Sequence, residues 1–97
     1  MKKNKLELWV AEQMGTRPTK ASGACNEIGD VYSDDYYVEC KEKHTKSCFT
    51  LTRKEWLKLQ AQTPVTIPKV PIWVIENKFG EKVVIMNIED FLRRINE

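Results

Sequence analysis

One histidine, three cysteines, four glycines and four prolines are spread over 97 residues, and each scarcity removes a class of protein. With so little Gly and Pro and no repeat, collagen-like and low-complexity chains are excluded. No apolar run approaches the roughly 20 residues that a membrane helix needs, so no membrane partner is expected. The opening Met-Lys-Lys-Asn-Lys has no hydrophobic signal core behind it, which points to a cytosolic chain. There is no Gly-rich phosphate loop, no Ser-His-Asp set and no nucleotide fingerprint. What is present is three Trp, three Tyr and three Phe within an apolar fraction of 41%. These anchors suit one compact domain over residues 1–97, which can bury roughly 60–70% of its unfolded surface.

Charge of one sign is also lacking, since the net is only +2. Divided along the chain, that near-neutrality breaks into blocks. Residues 1–20 hold five Lys/Arg against two Glu; residues 27–39 hold five carboxylates and no base; residues 41–58 hold six bases against two acids. An acidic block between two basic ones can attract a divalent cation and a polyanion together. The plainer alternative is ordinary surface charge around a polar hairpin tip.

Cys25, Cys40 and Cys48 are an odd set without a secretory signal and read as reduced thiols. Cys40, His44 and Cys48 are spaced by four, and Cys25 could complete a zinc set. The Cys-x-x-Cys knuckle of structural zinc sites is missing, however.

Periodicity predicts a helix over 3–14, with Leu6, Trp9, Val10 and Met14 at helical spacing and Gly15 as the stop signal. Residues 16–27 read as a loop. Ile28 to Ser33 and Tyr36 to Lys41 read as short strands around an Asp34-Asp35 turn. Thr52 and Glu55 form a capping box that opens a helix to about Gln62, with Trp56, Leu57 and Ala61 inward. Pro64, Pro68 and Pro71 punctuate a linker. Strands follow at 72–76 and 82–86 around a turn over 77–81, and Asn87 caps a last helix over 88–96 with Ile88, Phe91, Leu92 and Ile95 on one face. The order is α-β-β-α-β-β-α, with a further strand possible near 47–51: an α/β mixed sheet with helices packed on it. Trp9, Trp56 and Trp73 read as packing residues, and His44 as a surface histidine.

Side chains alternate along a strand, so Glu39 and Lys41 share one face while Val38 and Cys40 share the other. A two-residue turn at Asp34-Asp35 pairs Ser33 with Tyr36 and sets Asp30 opposite Glu39. Such partners have Cβ atoms roughly 4.5–5.5 Å apart. Two carboxylates at that distance repel unless a cation lies between them, and hard oxygen donors suit Mg²⁺. Lys41, on the same face, is placed to steady developing phosphate charge. The alternative is a solvated hairpin with Lys41 as a surface counter-charge.

Asp30, then eight residues, then Glu39-x-Lys41 after a helix resembles the core of the PD-(D/E)XK nucleases, with Gly29-Asp30 standing where the family's name has Pro-Asp. The neighbourhood is more specific. Ser22-Gly23-Ala24, Gly29-Asp30-Val31, Val38-Glu39-Cys40-Lys41, Phe49-Thr50-Leu51, Glu55-Trp56-Leu57 and Pro71-Ile72-Trp73-Val74-Ile75 resemble small Holliday junction resolvases of the archaeal type and their phage-borne relatives. The likeness spans about residues 5–92.

The resemblance implies a restriction-endonuclease-like mixed β-sheet of four to five strands flanked by helices. It implies a Mg²⁺-dependent endodeoxyribonuclease, with Mn²⁺ as a substitute, that resolves four-way DNA junctions as a homodimer in the cytoplasm of a prokaryotic or phage-infected cell. Asp30 and Glu39 would be metal ligands, joined by the Cys40 carbonyl and by Glu7 on the first helix, with Glu12 one turn away as its rival. Lys41 would be the catalytic lysine, and Ser22 would sit beside the scissile phosphate. Arg17, Lys20, Lys43, Lys46, Arg53, Lys54 and Lys58 would contact the DNA backbone. Two alternatives keep the same fold: a nuclease for other branched or duplex DNA, and a non-catalytic DNA-binding domain.

Overall fold

The computed structural model describes residues 5–22, 25–26, 28–63 and 69–97, with backbone alone at 21–22 and 25–26. Three helices and five strands follow in the order α1 (Lys5–Gln13), β1 (Ala21–Ser22), β2 (Cys25–Asn26), β3 (Tyr36–Glu42), α2 (Arg53–Gln62), β4 (Val70–Glu76), β5 (Lys82–Met86) and α3 (Ile88–Ile95). The main sheet has the order β3-β4-β5, with β3 parallel to β4 and β4 antiparallel to β5. The parallel pairing requires a crossover, and α2 lies within it. β1 and β2 form a separate two-stranded ladder inside the segment expected to be a loop.

The expected four to five strands are therefore three in the main sheet. The shortfall lies at residues 28–33, which meet their neighbours only at isolated bridges, Val31 with Val38 and Pro18 with Val31. Gly29 turns the chain with φ of 85°, and Pro18 has no N–H to give, so neither neighbour can extend a ladder there. The expected register survives, because the Val31–Val38 bridge sets Asp30 across from Glu39. Ser33 Oγ accepts from the N–H groups of Asp35 and Tyr36 and shapes the tip. Among the described residues no strand forms at 47–51.

Two apolar clusters sandwich the sheet. On one face Leu6, Val10 and Ala11 of α1 pack with Val31, Val38, Cys40, Ile72 and Val74. On the other, Leu59 of α2 packs with Tyr37, Trp73 and Ile75, and Trp56 stacks on Trp73 at 4.6 Å between ring centroids. The helix faces differ from the expected ones. Trp9 is 46% exposed with the Lys82 ammonium 4.7 Å from its ring, because α1 turns Leu6, Glu7, Val10 and Ala11 inward instead. On α2 the fully buried residue is Leu59, with Leu57 and Ala61 exposed, since the inward ridge runs from Trp56 through Leu59.

Local signals hold where side chains cap backbone. Thr52 and Glu55 make the reciprocal capping box of α2, and Asn87 caps α3. Between β4 and β5 the fully buried Asn77 accepts from the N–H groups of Phe79 and Glu81. Its amide donates to the Ser47 carbonyl and the Glu81 carboxylate. The 77–81 turn is thus fixed from inside by one side chain.

Candidate functional site

β3 is an edge strand, and its free edge faces the segment 29–31. The Val38 carbonyl accepts the Asp30 N–H at 2.6 Å, and the Cys40 N–H donates to Asp30 Oδ2 at 2.8 Å. Gly29 makes this approach possible. A Cβ there would lie 2.6 Å from the Val38 carbonyl oxygen, and its φ belongs to the region that glycine favours. Cys40 carries its N–H toward Asp30, so by strand alternation its carbonyl leaves on the same edge. Thr19 secures the turn from outside, its hydroxyl donating to the Gly29 carbonyl at 2.7 Å and its N–H to the Asp30 carbonyl at 3.0 Å.

Glu39 lies on the α2 face. Burial pushes its carboxyl above the ordinary carboxylate range, Asp30 adds to that rise, and Lys41 opposes both. Cys40, on the α1 face, has its thiol pushed up by burial and then by Asp30, Glu7, Glu39 and Glu42. Four carboxylates thus act electrostatically on one strand position. Glu7 is buried on α1 while Glu12 is exposed, so the helix carboxylate brought to this group is Glu7.

Lys41 Nζ stands 3.5 Å from Glu39 and 3.9 Å from Glu55. Glu55 also receives Lys43 Nζ at 2.9 and 3.0 Å. Burial raises the Glu55 carboxyl, but the Thr52 N–H and Lys43 outweigh it and hold the group below the usual range. Glu55 therefore works twice, as cap of α2 and as anchor of two lysines. Sequence reasoning found only the cap, although two basic residues at 41 and 43 beside an acidic cap were a usable signal. Glu39, Lys41, Glu55, Lys58, Leu59 and Gln62 line a small cleft at this place.

The remaining expected residues divide. Lys20, Lys46, Arg53, Lys54 and Lys58 are exposed, as is Arg17, whose guanidinium lies 4.6 Å from the Tyr32 ring. Lys43 is instead half-buried against Glu55. The Ser22 backbone lies in β1; its side chain, like that of Cys25, lies outside the described residues, as do Pro64 and Pro68. Cys40 is buried and Cys48 exposed, and both are free thiols.

A second polar group was missed in the sequence. His44 bridges the ends of β3 and β4, with Nδ1 3.4 Å from Glu42 and Nε2 hydrogen-bonded to Glu76, which also meets Lys82 at 3.1 Å. Burial raises the Glu76 carboxyl, and His44 and Lys82 outweigh that and lower it. Among the described residues, Glu42, His44 and Glu76 are the group with ligand atoms close enough to share a metal. Each ring nitrogen already faces its own carboxylate, however. No cysteine joins this group.

Glu7, Asp30 and Glu39 do not bring their carboxylate oxygens that close together. At the β3 edge, burial together with repulsion from Asp30 raises the cost of ionising Glu39. Family models, curated proteins and solved structures all return no match to this chain.

Proposed function

We propose that this chain is a metal-dependent endodeoxyribonuclease of the PD-(D/E)XK kind that resolves four-way DNA junctions. The observation that carries the reading is the arrangement at β3: Asp30 bound to the Cys40 N–H across from Glu39, with Lys41 beside Glu39. Asp30, Glu39, the Cys40 carbonyl and Glu7 would hold Mg²⁺, or Mn²⁺ in its place. When bound, the ion supplies Lewis acidity and charge neutralisation for phosphodiester hydrolysis. Asp30 is oriented by the N–H it accepts, so one oxygen is fixed and the other is left for binding. Lys41, held between Glu39 and Glu55, presents a fixed positive charge to the phosphate as negative charge develops. Ser22 would stand beside that phosphate. Arg17, Lys20, Lys46, Arg53, Lys54 and Lys58 would meet the DNA backbone. Symmetric incision of a junction calls for two sites on a two-fold axis, hence a homodimer.

Cleavage of a synthetic four-way junction in Mg²⁺ tests this. The wild type should cut, and Glu39→Ala should lose about 10²–10³-fold in rate. Equal activity in both, or none in the wild type, sinks the reading. A matched linear duplex cut as fast as the junction moves the target to other DNA. Tight junction binding without Mg²⁺ or Mn²⁺ binding in calorimetry makes the domain non-catalytic.

A further inference from the structure

α3 is capped by Asn87 at its start and strongly two-faced, yet none of its residues is buried. Ile88 and Ile95 are 60% exposed, and Phe91 and Leu92 45% exposed, all on one face. The bare surface continues past the helix. The Arg94 guanidinium lies 4.7 Å from the Tyr36 ring, and Tyr36 lines an apolar groove of about 400 Å³ between α1 and β5 that includes the exposed Trp9, Met14 and Val84. Monomers rarely leave a contiguous apolar patch above roughly 300–600 Å² uncovered.

We infer that this face binds a second copy of the chain, with α3 antiparallel to α3 of the partner across a two-fold axis. The charges on α3 single out that occupant. Its first turn carries Glu89 and Asp90, and its last carries Arg93 and Arg94. On a helical wheel Glu89 and Arg93 flank one side of the apolar stripe, and Asp90 and Arg94 lie toward the other. An antiparallel pair centred between Phe91 and Leu92 opposes Glu89 to Arg93 of the other copy twice on the open flank, while Asp90, 3.5 Å from Arg93, and Arg94, over Tyr36, lie toward the chain's own body. A parallel pair would oppose like charges. The helix dipoles also favour the antiparallel pairing. A membrane surface fits less well, because interfacial helices concentrate Lys and Arg on the polar face, whereas α3 balances two acids with two bases. The four apolar residues and the neighbouring groove supply the apolar centre of an isologous contact, whose usual size is roughly 800 Å² a side.

Sedimentation velocity on the full chain, without metal or DNA, tests the pairing. The wild type should dimerise below about 100 μM. Glu89→Arg and Arg93→Glu should each weaken the dimer by about tenfold or more, and the double variant should recover it, because the swap restores the same complementarity. Phe91→Glu should give a folded monomer; if it fails to fold, the charge swaps on exposed positions decide. A wild type that stays monomeric, single swaps without effect, a double variant that does not recover, or vesicle binding by a monomer would each overturn the inference. It rests on α3 and not on the nuclease reading: an inactive dimer leaves it standing, and an active monomer refutes it while sparing the metal site.

Discussion

The two edges of the three-stranded sheet are finished in opposite ways. At β3 the edge is closed by a partial strand and by a carboxylate on a backbone N–H, and buried charge is concentrated there. At β5 the sheet runs into a helix whose apolar residues stay 45–60% exposed among the described residues. Edge strands invite pairing with other chains unless they are covered. Here one edge is covered from within by polar groups, while the other is left apolar. A domain of 97 residues has too little core to cover both edges itself. The cover at β3 costs stability, because it gathers carboxylates; the bare face beside β5 leaves hydrophobic stabilisation unused until something docks.

Gly29→Ala should break this contrast hardest. It places a Cβ 2.6 Å from the Val38 carbonyl oxygen at a positive φ, so the β3 edge must shift away from Asp30. The expected loss is about 2–4 kcal/mol, a fall in Tm of about 10–20 °C by calorimetry. A melting point unchanged by the substitution would mean that the edge is not held by this approach.

Stability against pH should sharpen the picture of the β3 edge by separating two of its carboxylates. Glu39 has a folded value above its ordinary 4.5, so ionising it opposes folding. That cost is absent at low pH and grows as pH rises through the folded value, so Glu39→Gln should be more stable than wild type near neutrality and equal to it in acid. Glu55 has a folded value below 4.5, so its carboxylate supports the fold above that pH. The support is lost as pH falls through the folded value, and Glu55→Gln should therefore be less stable at neutrality. Urea titrations at several pH values should give slopes of opposite sign, and slopes of like sign would refute the assignment. A gain in stability with a loss of cleavage in Glu39→Gln would also be the usual signature of a functional site.

The smallest effect belongs to the opposite edge. Phe91→Glu touches a helix with no buried residue, so the monomer should change by less than about 0.5 kcal/mol, measured at a concentration below dimerisation. A large loss would mean that the α3 face is packed within the chain after all.

Much of this was legible in the sequence wherever a signal is local. The capping box at Thr52–Glu55, the Asn87 cap, the 82–86 strand and the Asp30-to-Glu39 register depend on residues within a few positions of one another. Helix orientation was less legible. The pattern at Leu6, Trp9, Val10 and Met14 suggested an apolar stripe through Trp9, whereas α1 turns Leu6, Glu7, Val10 and Ala11 inward and leaves Trp9 and Met14 exposed. Likewise Leu57 and Leu59 are equivalent in composition, and only the position of Trp73 under Trp56 selects Leu59 for burial.

By itself the sequence determined the element order, the caps, the alternation that puts Glu39 and Lys41 on one face, and the amphipathic pattern of α3, because backbone geometry and near-neighbour side chains suffice for each. Tertiary structure alone decided that segment 28–33 stays a partial strand, that Glu55 holds Lys41 and Lys43, that His44 joins the ends of β3 and β4, and that the apolar residues of α3 stay largely exposed among the described residues. Each of these is a contact, or a missing contact, between residues far apart in the chain, and only the packing of the sheet brings them together or keeps them apart.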